Sequence, residues 1–284
     1  MKEYLKLKRS FTLIELLVVI AIIALLSSII LVSLSGPRDR AKIAKVLEFS
    51  QSVQHAIGNE AVGVWNFDEG SGTLAKDASG YANNGTLYNF VSPNGWSTST
   101  PYAIVGSGQG KYALSFDGVD DYVDCGNGAS LNFTKDFSIE LWLKTMSAGS
   151  PYSGVIGKYG GTSGYDLIIS PGGFLRMDVR GTSAIDTGNT GNSLFDNKWH
   201  HIVVVVTISS IKIFDNTILR STTNGTWTAL TTSNPLTIGA RGSSLPTFNG
   251  IIDDVRIYDI ALSLSEIQQH YLAGLEKHQK LTIK

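Results

Sequence analysis

Glu15 is the only charged residue in a stretch of 24, Phe11 to Leu34 (FTLIELLVVIAIIALLSSIILVSL). A carboxylate near mid-bilayer costs about 2.5–3.5 kcal/mol, so it needs a partner or a function, and a plain anchor has no use for it. Asp68, Asp77 and Asp253 offer a different chemistry. Ca²⁺ takes six to eight oxygens from carboxylates, carbonyls and water, and these three acids are the candidate ligands. The competing reading makes them turn formers, since Asp caps turns through its own side chain. His200-His201 invites a metal or catalytic role. Adjacent strand residues point to opposite faces, so the two cannot chelate one ion, and one is expected to pack inward and the other outward. Cys125 is the single cysteine and reads as a small buried side chain; as a nucleophile it would need a paired base.

Aromatic rings stack on the apolar faces of sugars. Trp65, Trp142 and Trp199 sit in strand patterns and read as core. Trp96, Tyr102, Tyr152, Tyr159 and Trp227 fall in or beside loops and are the candidate ligand-binding residues.

These residues need elements to hold them. At about 1.5 Å per helical residue the Phe11–Leu34 stretch reaches roughly 36 Å, enough for a hydrocarbon layer of roughly 30 Å. Four basic residues (Lys2, Lys6, Lys8, Arg9) precede it. The run is longer than the apolar core of a secretory signal, and no small-x-small cleavage site follows it. Arg38 to Ile57 carries apolar residues at helical spacing, and Gly58-Asn59 is a plausible stop. From Ala61 onward the pattern changes to alternation. Strands are expected near 62–67, 112–116, 122–125, 137–145, 154–158, 165–169, 174–179, 200–207, 211–215, 218–222, 236–238 and 251–258. Turn pairs such as Asp117-Gly118 and Asn224-Gly225 separate them. So many short strands imply a mainly β fold, a two-sheet antiparallel sandwich. A short helix over 264–272 follows, with Ser263 and Glu266 in capping-box spacing and Gly274 just beyond its end. The expected organisation is a leader (1–10), a transmembrane and emergent helix (11–57), a sandwich (62–274) and a basic tail (275–284). Without residues 1–10 the chain has 19 basic and 23 acidic residues, which argues against a nucleic-acid partner.

Arg9-Ser10-Phe11-Thr12-Leu13-Ile14-Glu15-Leu16 and the run after it resemble the N-terminus of type IV pilins and secretion pseudopilins. The resemblance implies cleavage by a prepilin peptidase between Ser10 and Phe11, and N-methylation of Phe11. It also implies pairing of Glu15 with the new α-amino group of a neighbouring pilin-like subunit. The family usually has Gly where this chain has Ser10. Arg38, Arg40, Lys42 and Lys45 match the leader in charge, so the positive-inside rule gives no orientation. The resemblance places the leader in the cytoplasm and the C-terminal domain outside a single-pass cytoplasmic-membrane span.

A second resemblance rests on five motifs in order. They are Trp65–Gly72, Asp77–Gly80 with Asn83–Thr86, Leu114–Val123, Trp199–Ile202 and Gly250–Tyr258. Together they resemble the laminin-G-like members of the concanavalin-A-like lectin/glucanase superfamily. That implies a jelly roll, often with bound Ca²⁺, which binds a glycan or protein ligand. Pairing of first and last strands in a jelly roll would bring Asp68 towards Asp253. The superfamily includes glycosidases, whose retaining mechanism needs two carboxylates about 5–5.5 Å apart. Its laminarinase-like members carry acids at i and i+4 of one strand. Here the comparable strand has Glu140 with Lys144 four residues on, so no enzyme is expected. The expected function is a minor or tip pilin-like subunit that displays an adhesive, glycan- or protein-binding domain. The alternatives are an anchored carbohydrate-binding protein that does not polymerise and a glycan-active hydrolase.

Overall fold

A computed structural model describes residues 61–91, 95–98, 112–147, 149, 151–180, 184–186, 190–191, 193–242 and 247–278. The leader, the apolar run, the emergent helix, Tyr102 and residues 279–284 lie outside these, and with them Ser10, Phe11 and Glu15. Among the described residues no helix is long and apolar enough to cross a membrane.

In chain order the strands are β1 (Ala61–Trp65), β2 (Leu74–Ala75), β3 (Gly85–Tyr88), β4 (Trp96–Ser97), β5 (Ala113–Asp117), β6 (Tyr122–Asp124), β7 (Phe137–Lys144) and β8 (Ser153–Tyr159). Then come β9 (Gly164–Ile169), β10 (Leu175–Arg180), β11 (Ala184–Asp186), β12 (His200–Thr207), β13 (Ser210–Asp215), β14 (Ile218–Asn224), β15 (Thr237–Ile238) and β16 (Asn249–Tyr258). Helix α1 (Leu264–His278) follows. One sheet runs β14-β13-β12-β7-β16-β5-β4, with β1 also on β16; the other runs β11-β10-β9-β8-β15-β6-β3-β2. The pairings between these described strands are antiparallel, and the first strand pairs with the last, Trp65 opposite Val255.

The apolar alternation explains the layers. Phe137, Ile139 and Leu141 of β7 face Val206, Val204 and Ile202 of β12 and meet Leu167, Met177 and Val179 from the second sheet in one core. Each expected strand has a counterpart. β2, β3, β4 and β11 were not expected, because two to four residues are too few for alternation to show.

The outer face of the β7–β12–β16 sheet is covered by α1. Ser263 and Glu266 cap it reciprocally: the Ser263 N–H donates to Glu266 Oε2 at 2.7 Å and the Glu266 N–H to Ser263 Oγ at 3.3 Å. Ile267 packs with Val203, Val205, Phe214 and Tyr258, while Tyr271 and Leu275 pack against Trp142 and Trp199. The helix does not stop at Gly274, so Leu275–His278 is helix rather than tail. A Cβ on Gly274 would lie 2.5 Å from Trp142 Nε1, so the glycine is there for close approach to the indole and not for termination.

Candidate functional site

Glu140 lies on the sheet face beneath α1, with no exposure. Strand register places Trp142 opposite His201 and Asp253, and Arg256 opposite Glu140. Four donors converge on the carboxylate: His201 Nε2 at 2.9 Å and Arg256 at 3.5 Å on Oε1, His270 Nδ1 at 2.7 Å and the Tyr258 hydroxyl at 3.0 Å on Oε2. Burial alone would raise its pKa. The charge of His270 and the hydrogen bonds from His201 and His270 outweigh that and hold it well below the usual carboxylate range. An ionised carboxylate sealed under a helix and saturated with donors cannot protonate a leaving group. Glu140 fixes the helix to the sheet.

The two histidines do face opposite ways, yet both are buried. His200 bridges Asp215 at 2.8 Å and Asp196 at 3.1 Å. Burial opposes its charged form, but these two carboxylates prevail and raise its pKa. His201 points out of the sandwich and is enclosed all the same, because α1 covers that face; burial lowers its pKa.

The three candidate Ca²⁺ ligands are not brought together. Asp77 accepts the backbone N–H groups of Val64 at 2.9 Å, Ser79 at 2.8 Å and Asn83 at 2.8 Å, the work of a turn former. Asp253 is fully buried against α1, where His278 Nε2 lies 2.9 Å from Oδ2. First and last strands pair as expected, but Asp253 shares a sheet face with Trp142, and Asp68 is only half-buried. Among the described residues, two groups of three bring one ligand atom each within 4.8 Å of the others: Asp253–Asp254–His278 and Asp117–Asp120–Asp121.

Two of the candidate sugar-stacking residues are taken off the surface. Trp96 is 7 % exposed and donates Nε1–H to the Gly72 carbonyl at 2.9 Å. Trp227 is 6 % exposed, bonded to the Thr207 carbonyl at 2.7 Å and set edge-on to Phe137. Each indole N–H found a carbonyl partner and each ring joined the core, which loop position alone does not reveal. Tyr152 is exposed, and Tyr159 is half-buried with Arg241 4.6 Å from its ring centroid. A pair that sequence reasoning missed is Tyr88 and Tyr122, cross-strand partners on β3 and β6 with rings stacked at 5.1 Å and 12°. Tyr88 is exposed, and its strand went unrecognised. A cleft of about 340 Å³ is lined by Phe90, Trp96, Ser97, Ser115, Asp117 and Asp121, among others.

Residues 116–268 match the family model of the concanavalin A-like lectin/glucanases superfamily. The chain belongs to this superfamily. Residues 5–31 match the prokaryotic N-terminal methylation motif. The lectin-like domain is similar in fold to domain 4 of AbnA, a GH43 extracellular arabinanase from Geobacillus stearothermophilus, solved in complex with arabinotriose. Identity is 20 %, the TM-score is 0.56, and 75 % of this chain and 98 % of that one are covered. It is also similar to the binding domain of Paraclostridial Mosquitocidal Protein 1 (15 %, TM-score 0.60, 76 % and 52 % covered). A third similar structure is the binding domain of botulinum neurotoxin serotype D (16 %, TM-score 0.51, 77 % and 52 % covered). The chain thus spans about half the length of both toxin domains. At these identities the likeness shows fold alone. No curated protein matches the sequence.

Proposed function

We propose that this protein is a pilin-like, membrane-inserted subunit, minor or at a filament tip, that displays a carbohydrate-binding sandwich outside the cytoplasmic membrane. The observation that carries the reading is the union in one chain of a prepilin-type N-terminus with a concanavalin A-like domain. A binding role rather than hydrolysis is supported by Glu140, whose oxygens are committed to structure. The arabinotriose complex of the AbnA domain supports a glycan as ligand. The Tyr88–Tyr122 stack, with Tyr88 exposed and Tyr122 half-buried, is the surface on which a sugar ring would lie. Glu15 would pair with the α-amino group of a neighbouring subunit, because each charge lacks water in lipid.

The mature chain should begin at N-methyl-Phe11, as read by N-terminal sequencing and mass. Glu15→Ala should lose incorporation into filaments. A glycan array should give binding that Tyr88→Ala weakens at least tenfold. Normal filament incorporation of Glu15→Ala would end the assembly half of the proposal, and an array blank for the full chain would end the glycan half. Ser10, where the family usually has Gly, favours a second reading, an anchored protein that never polymerises. An intact Met1 on the mature protein would decide for it.

A further inference from the structure

We propose that the β5–β6 loop is a Ca²⁺ site built from the carboxylates of Asp117, Asp120 and Asp121. Their ligand atoms lie within 4.8 Å of one another, although like charges at that spacing repel. Among the described residues no lysine, arginine or histidine forms an ion pair with any of the three. A second observation is independent of this clustering. Asp121 is 4 % exposed, and its Oδ1 is buried with no hydrogen-bond partner. A buried carboxylate oxygen left in that state costs free energy that a bound cation would recover. Asp121 also lines the cleft beside Trp96, as Asp117 does, so the acids face a space that an ion can enter.

The loop is otherwise preorganised. Asp121 Oδ2 accepts the Asp117 N–H at 2.9 Å, and Asp117 Oδ1 accepts the Val119 N–H at 2.8 Å. Asn89 Nδ2 donates to the Asp120 carbonyl at 2.9 Å and ties the loop to the end of β3. The donors are all oxygen and come from an irregular loop, the preference of Ca²⁺ rather than Zn²⁺; Mg²⁺ demands a near-ideal octahedron. Two of the three acids are exposed, which fits the weak class of extracellular Ca²⁺ modules, with Kd of about 10⁻⁴–10⁻³ M.

The purified full-length chain in detergent is the sample, titrated with CaCl₂ to about 10 mM, which saturates a site of that class. Its melting temperature should rise. Tb³⁺ should luminesce on excitation of tryptophan, since Trp96 lines the same cleft, and Ca²⁺ should displace it. Asp121→Asn retains an acceptor for the Asp117 N–H. The double variant Asp117→Asn/Asp120→Asn changes only exposed side chains and keeps an acceptor for the Val119 N–H, so it should fold as the parent does. Both variants should bind Ca²⁺ at least tenfold more weakly. Parent-like Ca²⁺ affinity in the double variant would overturn the proposal, as would a parent chain with neither a Ca²⁺-dependent melting shift nor Ca²⁺-displaceable Tb³⁺ luminescence.

Discussion

Glu140→Gln keeps the shape of the side chain and removes its charge. The amide can still accept at one end from His201 and Arg256 or from His270 and Tyr258. Its NH₂ must then face donors at the other end, and Arg256, itself partly exposed, loses the fully buried carboxylate 3.5 Å away. Breaking one partner of a buried charged pair costs about 3–5 kcal/mol. For a domain of this size each kcal/mol moves the melting temperature by roughly 2–4 °C, so the variant should melt about 6–20 °C lower at pH 7. Far-UV circular dichroism of the purified chain, scanned against temperature, measures this. Acid adds a second readout. The folded-state pKa of Glu140 is depressed below its ordinary 4.5, so its contribution is fully present above the unfolded pKa. It is lost as pH falls through the folded value, and the parent should therefore lose stability below about pH 4.5 more steeply than the variant. A melting drop of under about 3 °C, together with parallel acid limbs, would refute the claim that this carboxylate fastens α1.

Gly274→Ala improves helix propensity by about 1 kcal/mol, and at an exposed helical site it would stabilise. Here the new methyl meets the Trp142 ring, and overpacking of about 1–3 kcal/mol should lower the melting temperature instead; a rise would mean that α1 does not sit on that ring. His200 has a folded pKa raised above 6.5, so its stabilisation is complete below that value and disappears as pH climbs through the folded pKa. Between pH 6.5 and the alkaline side of that pKa the parent should lose more melting temperature than His200→Gln does, and superimposable profiles would show that Asp215 and Asp196 do not hold the ring charged.

The strands were legible because their cores are buried on one or both faces and their alternation is long. The sequence pattern places His200–Thr207 to the residue, since five of its eight residues are Ile or Val. The pairing of first and last strands followed from the resemblance. The helix end is not legible locally, because a glycine near a C-terminus signals both a stop and a close approach, and only Trp142 across the interface distinguishes them. Trp96 and Trp227 were misplaced for a related reason: an indole beside a loop packs inward when its N–H finds a carbonyl, and that partner lies 24 residues away for Trp96 and 20 for Trp227. The Glu140 cluster spans residues up to 130 apart, beyond any local pattern.

These contacts divide the surface of the sandwich. The face of β7, β12 and β16 is closed by α1, and Glu140, Asp253, His201 and His278 are consumed in holding it shut. The metal or catalytic role that His201 invites in the sequence thus gives way to a bond to Glu140 beneath α1. The opposite holds around β3 and β6. Tyr122 directly follows Asp121, and Asn89 directly follows Tyr88 while bonding to the Asp120 carbonyl. One hydrogen bond thus sews the tyrosine stack to the acidic loop. If the loop binds a cation, fixing Asp120 also fixes Asn89 and the tyrosine next to it, so ion and stacking surface would be coupled through two residues. A glycan docked on Tyr88 and Tyr122 would then bind more tightly in Ca²⁺ than in its absence, and Asn89→Ala would weaken that dependence while leaving both partners in place.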